Sequence, residues 1–172
     1  MREVSDMLVD KYPWLFEPTL LTTVIRSILA ILCAGLIGYD RNRQGASAGL
    51  RTHILVCIGA MLAMSVGQFS YMHYGAGDPT RIGAQVVSGI GFLGAGSIIV
   101  TRKNHVSGLT TAAGLWASAC IGLAIGIGFY EGAVVGSIAV FFTERALRSL
   151  SKSIAAKGRK IEKDHSDETT LQ

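Results

Sequence analysis

Charged side chains vanish from three long stretches of the chain. No Asp, Glu, Lys or Arg occurs from Thr52 to Gly77, from Ile82 to Thr101, or from Asn104 to Tyr130. A hydrocarbon layer about 30 Å thick is crossed by ~20 helical residues, so each run predicts a transmembrane helix. Two further segments complete the set. Leu20 to Gly38 is apolar apart from Arg26, and the 12 uncharged residues from Gly132 to Thr143 lengthen into a span if Glu144 and Arg145 snorkel to the headgroups. The pattern predicts an all-α polytopic bundle of about five transmembrane helices over residues 18–150. A short polar segment, 1–17, precedes it, and a basic tail, 151–172, follows with its last residues disordered.

Helix-end signals refine these bounds. In Gly77-Asp78-Pro79-Thr80, Asp78 can accept from free backbone N–H groups and Pro79 suits a first-turn position, so the third helix is expected to start near Pro79. Glu131 places a carboxylate at the positive end of the fifth. Leu147, Leu150, Ile154 and Ile161 keep roughly helical spacing among many cations, which predicts a helix lying along an anionic membrane surface.

Composition agrees with lipid as the solvent. Of 172 residues only 16% are charged, against ~25% in soluble domains, while 49% are apolar. Disorder needs the opposite balance. Cys33, Cys57 and Cys120 are an odd number set inside apolar runs, so they are expected to be packing residues rather than disulfides or zinc ligands. The net charge of +4 does not indicate nucleic acid, because the cations cluster at span ends. Five spans put Arg41, Arg43, Arg51, Arg102, Lys103 and seven cations from Arg145 to Lys163 on one side, 12 of the 16 Lys and Arg. By the positive-inside rule that side, with the C-terminus, is cytoplasmic and the N-terminus is outside. Tyr12, Trp14, Phe16, Phe69, Tyr71, Tyr74, Phe129 and Tyr130 then fall at the outer boundary, where aromatic rings settle.

Glycines are expected to pack the bundle, since small residues let helices approach closely in lipid. Gly122, Gly126, Gly128, Gly132 and Gly136 follow a four-residue spacing, and Gly89, Gly91, Gly94 and Gly96 form a dense run. Gly89-x-Gly91-x-x-Gly94 matches a dinucleotide fingerprint only by pattern, because no carboxylate follows within reach and no strand-turn-helix surrounds it.

The remaining polar groups are few. At the cytoplasmic end, Asp40, Arg41, Arg51, Thr52 and His53 flank one short loop, and Thr110, Thr111 and Trp116 open the fourth span on the same side. Asp40 and Arg51 can meet there, either as a structural ion pair or as part of a binding site; His53 is expected to satisfy a helix N-terminus or a loop carbonyl. On the outer side Asp78 and Arg81 flank the third span, with Gln85 one turn deeper and able to bond a neighbouring helix. Arg26, costing about 2.5–3.5 kcal/mol at a bilayer centre, must snorkel or find partners within the bundle. No nucleophile paired with a base, no paired carboxylates and no metal triad is visible, so neither an enzyme nor a cofactor is expected. Magnesium wants oxygen ligands and usually carboxylates. No acid lies between Pro79 and Tyr130, and the charge nearest mid-span is a cation.

Four ordered blocks carry a resemblance: Gly35-Leu36-Ile37-Gly38-Tyr39-Asp40-Arg41, Ala48-Gly49-Leu50-Arg51-Thr52-His53, the run from Gln85 to Gly96, and Gly108-Leu109-Thr110-Thr111-Ala112-Ala113 with Trp116. Over roughly residues 20–145 the chain resembles the MgtC/SapB family. The resemblance implies a bacterial inner-membrane protein of about five helices, linked to growth in low magnesium and to virulence. Members are described as regulators that bind membrane complexes, notably the F-type ATP synthase, and have also been named magnesium transporters. Apart from the resemblance, the glycine faces are expected to allow self-association of the chain within the lipid bilayer. The family usually has Glu where this chain has Asp40, and many members continue into a soluble domain resembling ACT domains.

Overall fold

The computed structural model describes residues 12–75, 77–100 and 106–146. Arg102, Lys103, the tail 151–172 and the apolar stripe from Leu147 lie outside them. Five helices account for most of the described chain: α1 (Leu20–Arg43), α2 (Leu50–Tyr74), α3 (Thr80–Gly96), α4 (Leu109–Ile127) and α5, which begins at residue 130 and is followed to 146. A single 3₁₀ turn, Pro13–Leu15, precedes them. Three helices, α1, α2 and α4, are long and apolar enough to cross a membrane. Two compact units are distinguished, the first reaching to Val140 and the second starting at Phe141. In the second, the Phe141 and Phe142 rings meet edge-on at 5.7 Å and the Arg145 guanidinium lies 6.0 Å from the Phe141 ring centre.

Local chemistry sets the helix ends. Thr19 caps α1 reciprocally with Thr22: its hydroxyl accepts from the Thr22 N–H at 3.3 Å, and its own N–H donates to the Thr22 hydroxyl at 2.8 Å. The α3 start matches the expectation, since the Thr80 N–H donates to Asp78 Oδ1 at 2.8 Å. The Thr80 hydroxyl and N–H, with the charge of Arg81, hold the Asp78 carboxyl below its ordinary range. α4 begins and ends on glycines at φ +91°, Gly108 and Gly128, a conformation that strains any residue bearing a β-carbon. Gly128, expected as a packing residue, is therefore first a helix cap, with its N–H turned back to Ile125 O at 3.1 Å.

The third helix is shorter than the uncharged run it lies in. Instead of continuing to Thr101, α3 stops at Gly96, and Ile99–Val100 pairs antiparallel with Val106–Ser107. The Ser97 hydroxyl donates to Gly94 O at 2.7 Å, closing the last turn, and the β-branched Ile98-Ile99-Val100 then extends. Apolarity alone does not separate helix from strand over so short a piece.

Within the first unit α2 and α4 form the central pair, α1 packs on both, and α3 packs on α4 and α2. The core is built from small and flexible apolar residues: Ala30, Ala34, Ile37, Cys57, Met61 and Ile125 are fully enclosed, with Ala133 of α5 joining the same cluster. Cys33 and Cys57 are buried and unpaired, in keeping with packing roles. The outside is greasier than the inside, for Leu20 is 85% and Phe92 84% exposed. Large apolar side chains on the outside and Ala, Cys and Gly within is the arrangement that lipid favours.

Close approach depends on two glycines above all. A β-carbon on Gly122 would overlap the Cys57 carbonyl oxygen, and one on Gly126 would come within 2.5 Å of the Met61 carbonyl oxygen, so α4 lies directly on the α2 backbone. Gly94 and Gly136 make ordinary contacts, at 3.6 Å to Ala112 and 3.9 Å to Ile121, and Gly132 is crowded by the Phe129 ring. Gly89, Gly91 and Gly96 correct the expectation of a packing face, for added β-carbons there would meet nothing within 4 Å. Gly89 lines an open groove toward α2, whereas Gly91, two residues on, lies on the other side of α3.

Candidate functional site

Polar groups collect at the two ends of the bundle. At the end holding the start of α1, Arg26 lies about 9 Å along the helix from Leu20 and is 1% exposed. It turns inward rather than snorkelling. Its Nε donates to the Tyr130 hydroxyl at 3.1 Å, Nη1 to Ser65 Oγ, Gln68 Oε1 and Gly126 O at 3.3, 3.1 and 2.9 Å, and Nη2 to the carbonyls of Leu15 and Phe16 at 3.4 and 3.3 Å. One side chain thus ties the 3₁₀ turn to α1, α2, α4 and α5. All six partners are neutral, so the cation is solvated by dipoles rather than matched by an acid. The acceptors also bond one another: Tyr130 donates to Leu15 O at 2.6 Å and Gln68 Nε2 to Phe16 O at 3.0 Å. Ser65, Gln68 and the Tyr130 hydroxyl were not legible as partners, although Ser65 and Gln68, three apart on a helix, share a face of an otherwise apolar run.

Near this end the outer polar set is more scattered. Asp78 is engaged by Thr80. Arg81 and Gln85 are exposed. Gln85, expected to bond a neighbouring helix, is exposed and makes no hydrogen bond among the described residues.

The opposite end is the candidate site. α1 closes on Gly38, where a β-carbon would come within 2.8 Å of Leu50 Cα, so the first turn of α2 is drawn against the last turns of α1. That contact buries Asp40, Arg41 and His53. Asp40 accepts a short hydrogen bond from the Gln44 side chain. Arg41 Nη2 donates to Thr111 Oγ1 at 2.9 Å, joining α1 to the first turn of α4, and Ser47 lies 3.5 Å from the same hydroxyl. His53 Nδ1 is 2.8 Å from Ser118 Oγ, a serine hydroxyl rather than the helix terminus or loop carbonyl expected. Ser47 and Ser118 escaped sequence reasoning because nothing distinguishes them from other serines until the helices meet.

The structure therefore unites Arg41 with Thr111, and His53 with Ser118, but leaves Arg51, Thr52, Thr110 and Trp116 exposed. Arg51 lines an outward groove on α2 instead of facing the buried cluster. A His–Ser contact resembles a base and nucleophile, yet both residues are wholly enclosed, and among the described residues His53 Nε2 has no hydrogen-bond partner and no third group orients the ring. Among the described residues no three His, Cys, Asp or Glu side chains gather to hold a metal ion.

Thr111 gives a direct test of this end. Thr111→Val keeps the shape and removes one acceptor of Arg41, so unfolding in detergent should be easier by about 1.5–3 kcal/mol, the worth of a hydrogen bond to a charged group. The exposed neighbour serves as control, for Thr110→Val should leave the melting temperature unmoved.

The model of the MgtC family matches residues 28–153. An Escherichia coli K12 protein named "Putative magnesium transporter YhiD" is 48% identical over 121 residues, covering 67% of this chain and 55% of the relative. Protein MgtC of Brucella abortus (strain 2308) is 45% identical over 121 residues, covering 70% of this chain and 49% of the relative. The chain spans about half the length of these curated relatives. No solved structure matches it. The matched region takes in the whole candidate site and the glycine contacts of α2 with α4, and it begins just after Arg26; the chain belongs to the MgtC family.

Proposed function

We propose that the chain is a multi-pass protein of the bacterial inner membrane that regulates a partner membrane complex by contact, and neither conducts magnesium nor catalyses a reaction. The basic residues at the candidate-site end favour its cytoplasmic placement, with the N-terminus outside. The family resemblance points to the F-type ATP synthase as the complex, and to low-magnesium adaptation and virulence as the setting.

One observation carries the choice against transport. Arg26 fixes a positive charge inside the bundle, and none of its six partners is an acid. A divalent cation crossing between these helices would approach that charge with no carboxylate to offset it. The enclosed Ala30, Ala34, Met61 and Ile125 offer no oxygen ligands along the way. The name of the Escherichia coli relative favours transport, and flux decides between the readings. Purified protein in sealed vesicles should admit magnesium no faster than protein-free vesicles; flux abolished by Asp40→Ala would reverse the conclusion. Crosslinking in bacterial membranes should retrieve subunits of a membrane complex, and recovery of the chain alone would count against regulation by contact.

A further inference from the structure

The outward groove between α2 and α3 has a cation at one end and bare hydrocarbon along the rest. Its volume is about 530 Å³, within the range of small-molecule sites. Ile90, Ala60 and Ala119 form a buried floor, and Leu55 and Leu93 stand as exposed walls, 70% and 50% accessible. Gly59 and Gly89 open into it, and β-carbons added there would meet nothing within 4 Å, so the backbone itself is bare. From Arg51 to Ala60 the groove runs about 13 Å along α2, close to half of a ~30 Å hydrocarbon layer. That is the depth of a single leaflet.

The mouth has the opposite character. Arg51 and Thr52 line it, both exposed, and Arg51 makes no hydrogen bond or ion pair among the described residues. The first turn of α2 adds to the positive field, because its N-cap is Gly49 and no side chain caps its N–H groups. We propose that this groove binds one anionic phospholipid, an acyl chain filling the apolar trough and the phosphate held by Arg51 and Thr52. Charge complementarity selects this occupant: an apolar helix from a second copy would fill the trough but leave the cation at its mouth unmatched. The site depends on the membrane placement of the chain, and not on the choice between regulator and transporter.

Native mass spectrometry of the full chain in detergent, with phosphatidylglycerol or phosphatidylcholine added at equal concentration, tests it. Wild-type protein should retain phosphatidylglycerol about five-fold better, the ratio expected from one surface cation. Arg51→Ala should abolish the preference while still retaining lipid, and Arg51→Lys should keep most of it. In Gly89→Leu the β-carbon meets nothing and the larger side chain is directed to the open groove, so it should lower retention of both lipids without lowering the melting temperature. Equal retention of the two lipids by wild type, or an undiminished preference in Arg51→Ala, overturns the proposal. So does a dimer that Gly89→Leu dissociates, which would assign the groove to a second copy. A chain that stays in solution without detergent would instead defeat the membrane placement, and the lipid site with it.

Discussion

Replacing Arg26 by glutamate will prevent recovery of the chain as a folded, monodisperse protein. Every group around the guanidinium faces it as an acceptor, and the backbone carbonyls of Leu15, Phe16 and Gly126 cannot reverse that role. A carboxylate there is a buried charge among oxygen atoms with its polarity wrong, a loss beyond about 4–5 kcal/mol. Arg26→Met should cost far less. The carbonyls of Leu15 and Phe16 keep their bonds from Tyr130 and Gln68, and Ser65 still donates to Gly126 O at 3.3 Å. The desolvation cost of the cation also disappears. Gln68 Oε1 is left without its donor, while the Ser65 and Tyr130 hydroxyls lose the bond they accept but keep the one they donate, so about 1–3 kcal/mol is expected. Thermal unfolding in detergent ranks wild type, Arg26→Met and Arg26→Glu in that order. Equal stability of the two variants would mean that the cluster is not the acceptor cage described above.

The second large effect comes from a single methyl group. Gly122→Ala drives a β-carbon into the Cys57 carbonyl and within 2.9 Å of Ala60 Cβ, against backbone that cannot rotate away. Either α2 and α4 separate along their shared face or the helix shifts, and stability should fall by about 3 kcal/mol, the upper end of ordinary overpacking. Gly91→Ala is the matched control. Its added carbon meets nothing, so the higher helix propensity of alanine should leave stability equal or raise it by up to about 1 kcal/mol. Loss of stability in both would indicate that something covers the α3 face.

That contrast shows where sequence reasoning reaches its limit. Uncharged runs located α2 and α4, and an apolar run broken only by Arg26 located α1, because hydrocarbon length is a property of the local chain. The start of α3 was legible from Asp78 and Pro79, but its end was not, since Ile98-Ile99-Val100 is equally apolar as helix or strand. Gly91 and Gly122 look alike in sequence and differ only in what the fold brings against them. The need of Arg26 for partners followed from its position alone. Their identity did not, because Ser65 lies 39 residues away and Gly126 100. At the candidate site, Arg41 and Thr111 were named together, whereas Ser118 emerges only when α4 crosses α2.

The early end of α3 bears on the surrounding bilayer. Seventeen residues span about 26 Å, while the 25 of α2 span about 37 Å. The hairpin that follows has outer edges whose peptide groups need water, and hydrocarbon cannot supply it. In the proposed multi-pass placement, lipids bordering α3 would shorten by roughly 4 Å against a 30 Å slab, while those beside α2 would meet a rod with length to spare. So placed, the protein would present unequal flanks to its membrane, and a thickness mismatch on one side would become a bias toward neighbours, lipid or protein, that tolerate a local thinning.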